Sequence, residues 1–320
     1  MNEFLVIKKY FSNLSKNNRG TFDLSDDIFF DYKNKLGISI DTYVEGMHFL
    51  NFKNPNLVIK KALRGAISDL ICKGIIPKYY FISFSGNKKH LTQANLGKIK
   101  LALKQEQIKY NIFLAGGDTS NSNRLSITVC VVGYSNKNPV LRSGAKLNDD
   151  IYITNTIGDA FLGLKLLKGK IKLSKKNNDY FIKRFYLPIL PIKFSKKIQL
   201  FANSAIDISD GFFQDLHHIL SRSNLSSKIF KNKIPISNYL NSYLIKSKKN
   251  KLNFISNGDD YQILFTASKK MRHLIKKISK STSTKVSIVG IVKNKFISKN
   301  RKLSEEKIKF PKKLGYIHSF

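Results

Sequence analysis

The 320-residue chain has no tryptophan, seven prolines, two cysteines, and 21 acidic residues against 57 basic ones. Two cysteines, Cys72 and Cys130, exclude a disulfide scaffold and a Cys-rich zinc module. They read as buried thiols in a reducing compartment. No apolar run reaches the roughly 18 residues that a membrane span needs. The opening MNEFLVIKKYF carries Glu3 early and its basic pair late, which does not fit a secretory signal. Hydrophobic residues make up 42% and charged residues 24%, ordinary globular usage, so a disordered or low-complexity chain is excluded.

The formal charge is +36, which invites a nucleic-acid reading. The kind of charge argues against it. Only 8 of the basic residues are Arg and 49 are Lys, whereas base and phosphate readers favour the planar Arg fork. The lysines are spread along the whole chain, with little aromatic interleaving. Such a surface still attracts small anions.

The scarce acids are more informative. Fourteen of the 21 fall in short clusters: Asp26-Asp27, Asp41 with Glu45, Asp69, Asp118, Asp149-Asp150 with Asp159, Asp207-Asp210-Asp215, and Asp259-Asp260. Several lie beside Gly, Ser or Thr, a setting that suits hard-cation ligands. The familiar alternatives are missing. There is no G-x-x-x-x-G-K-[ST], no G-x-G-x-x-G, no protein-kinase motif set and no G-x-S-x-G. The six histidines show no metal spacing. Carboxylates gathered together repel one another unless cations are present. Mg²⁺ resolves this and bridges to phosphates, and phosphoryl transfer needs positioned charge more than covalent chemistry.

Periodicity predicts alternating strands and helices in both halves, an α/β or α+β layered fold of two domains. Strands are expected at 36–41, 79–85, 125–134, 150–154, 204–209, 261–266 and 285–292. A buried strand at 111–116 should run into a loop, GGDTSNSN. Helices are expected over 3–14, from Pro55 to near Gly74, over 93–109, 159–168, 178–187 and 193–203, and through His218 and Leu220 with Asp210 placed to cap it. The Asn-, Lys-, Gly- and Pro-rich stretch 135–148 puts the boundary near 140, giving domains 1–140 and 141–320.

Eight ordered blocks carry a resemblance: DTYVEGMHF (41–49), AISDL (66–70), AGGDTS (115–120), LSITV (125–129), RSGAK (142–146), DDIYITNTIGDAFLGL (149–164), AIDISDGFFQDLHHIL (205–220) and NGDDYQILFT (257–266). With them the chain resembles the thiamine-monophosphate kinases, a family of the aminoimidazole-ribonucleotide-synthetase-like superfamily. The resemblance implies transfer of the γ-phosphate of ATP to thiamine monophosphate, several Mg²⁺ ions and no covalent nucleophile. It implies Asp27 (with Asp26 beside it), Ser39, Asp41, Asp69, Asp118, Asp207 and Asp210 as metal ligands. Gly117, Asp118, Arg142 and Ser209 are then expected at ATP, and His48 and Asp259 at thiamine monophosphate. It further implies an ATP- and Mg²⁺-binding N-terminal domain whose sheets pair into a barrel in a homodimer, a C-terminal α/β domain, and a cytoplasmic enzyme with no nucleic-acid or membrane partner.

The chain departs from the family pattern in four places. Leu24-Ser25-Asp26-Asp27 replaces G-I-G-D-D, Ile40 replaces a Thr, and Asp259 replaces a Glu. The C-terminal Trp that holds the thiamine end has no counterpart; Lys313 or Leu314 falls near its position, and Tyr316 stands ready to stack. Two other functions remain open to the residues. One is another superfamily reaction with a different acceptor, although the first 71 residues lack the Cys of selenophosphate synthesis and Phe320 replaces the terminal Cys of the hydrogenase-maturation relative. The other is a non-catalytic basic binder of nucleic acid.

Overall fold

The computed structural model describes residues 3–295 and 315–316. The first half contains strands β1 (Phe29–Asp31) and β2 (Leu36–Val44), helix α1 (Pro55–Cys72), β3 (Ile76–Gly86), α2 (Gln93–Tyr110), β4 (Phe113–Asn121) and β5 (Ser126–Tyr134). These strands form one sheet in the order β1-β2-β5-β3-β4, antiparallel except for the parallel pair β3 and β4. The second half contains β6 (Asp150–Thr154), α3 (Asp159–Leu167), α4 (Lys175–Tyr186), β7 (Ser204–Asp207), α5 (Phe212–Arg222), β8 (Leu225–Ile229), α6 (Asn238–Ser247), β9 (Ile263–Ala267), α7 (Arg272–Ser281) and β10 (Val286–Asn294). Its sheet runs β7-β9-β6-β10-β8 and is antiparallel throughout.

Among the described residues, the first sheet is covered on one face only. Along β5, Ile127, Val129 and Val131 are fully buried, while Thr128, Cys130 and Val132 alternate onto the other face and stay half-exposed, as the two-residue period requires. The lateral row Ile40, Cys130, Phe81, Gly116 runs across that open face. Ile40 and Phe81 are exposed there, an apolar surface of the kind that marks an interaction site.

Helix α1 lies between the two halves. Ile59, Ala62, Leu63, Ala66, Ile67 and Leu70 are fully buried, and residues on its other sides are buried as well. A helix buried on all sides is normally apolar all round. This one carries Lys61, Arg64 and Ser68, each with a partner from elsewhere. Arg64 makes a two-pronged pair with Glu106, at 2.8 Å and 2.7 Å, and donates to the Pro188 carbonyl. The buried branched side chains on α1 each contribute about 1.5–3 kcal/mol, and Ile67→Ala should cost about 2–5 kcal/mol.

Four expectations need correction. The segment 111–116 is not buried: β4 lies at the sheet edge, with Phe113 and Leu114 each 48% exposed. GGDTS is not a loop but continues that strand. Its pairing with β3 is close, and a Cβ on Gly117 would sit 1.9 Å from the Ile82 carbonyl oxygen. The stretch 193–203 is a four-residue helix and a 3₁₀ turn, since Pro191 and the chain reversal into β7 leave no room for a longer one. Asp210 does not cap α5. Gly211 occupies the N-cap with φ of 127°, and Asp215 accepts its N–H at 3.0 Å. Sequence reading also missed β1, β8 and α6, which are short or polar.

Candidate active site

The site forms where the loop ends of β2, α1 and β7 meet. Asp41 is on the inward face of β2, Asp69 is near the end of α1, and Asp207 closes β7. One carboxylate oxygen each from Asp27, Asp69 and Asp207 lies within 4.8 Å of the others. Asp41 and Asp210 join this group electrostatically. Burial, with Asp27 next, pushes the Asp41 carboxyl up to about 6. Burial, with Asp27 next, takes Asp207 to about 7, and burial, with Asp207 next, takes Asp210 to about 7. Burial and then Asp41 push Asp69 well above the usual range. Arg142 pulls Asp69, Asp207 and Asp210 the other way, but burial and the neighbouring carboxylates outweigh it. Close-set hard oxygens with unbalanced charge fit a divalent cation such as Mg²⁺. Ser39 is buried beside them and donates to the Ala66 carbonyl at 2.8 Å. Ser68 donates to Asp207 Oδ2 at 2.5 Å.

Asp27 behaves differently. It follows a turn in which Phe22, Asp23 and Leu24 have φ of 51°, 53° and 53°, left-handed values that each cost roughly 1 kcal/mol outside glycine. The strained turn delivers Asp26 and Asp27 to two cations. Arg142 grips Asp27 through both Nε and Nη2, and its backbone N–H donates to Asp26 Oδ2 at 2.7 Å. Lys73 Nζ lies 2.8 Å from Asp26 Oδ1 and 2.6 Å from Asp27 Oδ2. Burial alone would raise the Asp27 carboxyl; Arg142 and Lys73 override it and hold the group well below the usual carboxylate range.

A second loop, Asn257 to Tyr261, closes over the Asp207–Asp210 segment. Asp259 N–H donates to the Ser209 carbonyl at 2.9 Å and Tyr261 N–H to the Ile208 carbonyl at 2.8 Å. Only glycine fits between, since a Cβ on Gly258 would stand 1.5 Å from the Ser209 oxygen. Asp259 has φ of 68° and pairs with Lys61 Nζ at 2.7 Å. That ammonium also sits 3.4 Å over the Phe185 ring, an arrangement that favours a desolvated cation. Asp259 Oδ1 also accepts from Tyr261, whose hydroxyl lies 3.1 Å from that of Tyr43. The Ser209 hydroxyl reaches Asp207 Oδ1 at 3.5 Å. His48 is half-buried, and its Nδ1 accepts the Val44 N–H at 3.0 Å.

Two expected residues stand apart. Gly117 and Asp118 are on edge strand β4. Asp118 shares a lateral row with Ser83, Thr128 and Thr42 on the open face, while Asp41 and Val129 share the next row on the covered face. Three strand spacings separate β4 from β2, about 14 Å. Within one chain Asp118 therefore does not join the other carboxylates. At the C-terminus, the Tyr316 N–H donates to the Asp210 carbonyl at 3.1 Å, which brings residue 316 against the site. Lys313 and Leu314 lie outside the described residues. Sequence reasoning missed Lys61, Lys73, Tyr43 and Tyr261.

Comparison with known proteins sets this arrangement in context. A family model described as AIR synthase related protein, N-terminal domain, matches residues 25–135. A thiamine-monophosphate kinase of Buchnera aphidicola subsp. Acyrthosiphon pisum (strain APS) is 36% identical over 326 residues, covering 99% of this chain and 98% of the relative. One from Escherichia coli (strain K12) is 33% identical over 270 residues, 82% of each chain. Among solved structures, "AaThiL complexed with AMPPCP and TMP" superposes with a TM-score of 0.81 at 30% identity, covering 92% of this chain and 91% of that one. Thiamine monophosphate kinase from Aquifex aeolicus superposes at 0.75 with 31% identity, over 84% and 89%. The hydrogenase maturation protein HypE shares the fold, with a TM-score of 0.63 at 14% identity over 87% and 86%.

Proposed function

The chain belongs to the thiamine-monophosphate kinase family and phosphorylates thiamine monophosphate with ATP; from that premise we propose that the transfer depends on Mg²⁺ held by the acidic cluster. The observation that carries this is the convergence of Asp27, Asp69 and Asp207 within 4.8 Å, beside Asp41 and Asp210. We assign Asp27, Asp41, Asp69, Asp207 and Asp210, with the Ser39 hydroxyl, as ligands. Bound divalent ions would supply charge neutralisation to the phosphate oxygens in flight.

The chain's own groups divide the remaining work. Arg142 offers a planar fork to phosphate oxygens, at present engaged by Asp27. Ser209 adds a short hydroxyl beside Asp207. On the acceptor side, His48 and Asp259 hold thiamine monophosphate. Asp259 is steadied by Lys61 behind it, so the shorter acid is compensated by a fixed orientation. No side chain needs to become covalently modified when the acceptor phosphate oxygen attacks in line.

We further propose a homodimer paired through the open face of the first sheet, with Gly117 and Asp118 serving the partner's nucleotide. Two features support this. The face carries Ile40 and Phe81, exposed among the described residues, and Asp118 lies about 14 Å and one face away from its own chain's cluster. Cytoplasmic action is proposed as well, since ATP is held there. Among the described residues no helix is long and apolar enough to cross a membrane.

The reading is tested by Asp69→Asn and Asp207→Asn. Each should abolish product formation by about a hundredfold or more while leaving the fold intact. Near-normal turnover in either would remove that ligand from the set.

A further inference from the structure

Lys73 is the first residue past α1 and its side chain is fully buried. Its ammonium carries three N–H donors. Three oxygens meet it: Asp26 Oδ1 at 2.8 Å, Asp27 Oδ2 at 2.6 Å and the Ala205 carbonyl at 2.8 Å. The backbone is fixed too, since the Lys73 N–H donates to Leu70 and its carbonyl accepts from Val140. The C-terminal end of α1 favours a cation there. No freedom remains for this ammonium, and every donor is used.

The position divides the acidic cluster. Asp26 and Asp27 face two cations, Lys73 and Arg142. Among the described residues, Asp41, Asp69, Asp207 and Asp210 have no such partner within bonding distance. Removing a charge partner from a buried pair is costly because the other charge is stranded. A buried lysine in a carboxylate cluster must therefore be needed for charge, since an apolar side chain would fill the same space more cheaply.

We propose that Lys73 is a resident cation of the site, occupying with its ammonium the place at the Asp26–Asp27 edge that a divalent ion would otherwise fill. The divalent ions then gather on Asp41, Asp69, Asp207 and Asp210 together with the side of Asp27 that faces them, while Lys73 holds its other side. This rests on the metal reading above and specifies which part of the cluster needs metal.

The test is the number of Mn²⁺ ions bound per chain, by calorimetry on the full-length protein without nucleotide, together with melting temperature against divalent concentration. Lys73→Met should bind one more Mn²⁺ than the natural chain. Its metal-free melting point should fall by ~10 °C and recover most of that loss in millimolar Mg²⁺. Lys73→Arg should keep the natural stoichiometry. If Lys73→Met fails to fold without metal, the double variant Asp26→Asn/Lys73→Met removes one charge of each sign. It should fold and bind the natural number. An unchanged Mn²⁺ count in Lys73→Met with no recovery in Mg²⁺ would overturn the inference and leave Lys73 a packing residue. If the natural chain itself takes up no Mn²⁺, the metal reading falls and this inference with it.

Discussion

The hydroxyls of Tyr43 and Tyr261 lie 3.1 Å apart, joining β2 of the first sheet to the loop before β9 of the second. Tyr43 also reaches Asp41 Oδ2 at 3.4 Å, and Tyr261 reaches Asp259 Oδ1 at 3.3 Å. A chain of polar contacts thus runs from a proposed metal ligand to a proposed acceptor contact across the interior. It exists because α1 has a glycine beneath it. A Cβ on Gly65 would stand 1.7 Å from the Tyr43 oxygen.

That relationship predicts a non-additive pair. In a helix, Gly→Ala normally gains up to about 1 kcal/mol. Here Gly65→Ala should instead destabilise, by about 1–3 kcal/mol from overpacking. In a Tyr43→Leu background the same substitution should become neutral or favourable. Denaturant unfolding of the four members of the cycle measures the coupling. Simple additivity would show that the hydroxyl does not fill the space.

Lys61 and Asp259 predict a selective effect. Lys61→Met leaves Asp259 unbraced without touching the Asp27 side of the site. KM for thiamine monophosphate should rise about tenfold or more, with KM for ATP nearly unchanged. Lys61→Arg should restore part of the loss. Equal changes in both KM values would indicate general disturbance of α1.

The raised carboxyls fix the sign of the pH dependence. Asp41 is pushed up to about 6, and Asp207 and Asp210 to about 7, from an ordinary 3.8. Between those limits the folded chain holds protons that the unfolded chain has released. Metal-free stability should therefore fall as pH rises from about 4 through about 7, and Asp69, also pushed up, adds to the fall. Divalent ions must displace the same protons, so their apparent affinity should climb over that range. Melting curves with and without Mg²⁺ at each pH test both trends. A metal-free stability that rises with pH across this window would contradict the assignment.

Exposed Asp118 and buried Asp207 should separate activity from stability. Asp118→Asn should leave the melting point almost unchanged and reduce turnover by about a hundredfold. Asp207→Asn should abolish turnover and raise the metal-free melting point, because one of several repelling charges is gone. Mixed dimers of Asp118→Asn with Asp207→Asn should recover part of the activity, since each copy lends the other its intact residue. No recovery would confine Asp118 to its own chain.

The candidate site acids were visible in the sequence because acids are rare here and lie beside small residues. The alternating periods of β2, β5 and α2 were equally visible. Two things were hidden for physical reasons. Which lysines matter cannot be read among 49. Lys60 and Lys61 are neighbours, yet Lys61 is 1% exposed while Lys60 reaches out to Gln105. Helix α1 is enclosed on every side from Lys61 to Ser68, so it has no polar face there on which to expect its charges. The placement of Asp118 depends on strand order, which local patterns do not encode. NIFLAG reads as a buried strand because it is mostly apolar, yet only Ile112 of it is buried, and Phe113 and Leu114 stand 48% exposed at the sheet edge.

The most direct test is chromatographic separation of products after incubating the purified chain with ATP and thiamine monophosphate, with Mg²⁺ and with a chelator. The account predicts thiamine diphosphate and ADP in equal amounts with Mg²⁺ and neither with the chelator. Absence of thiamine diphosphate at saturating Mg²⁺, or its undiminished formation in the chelator, would contradict it.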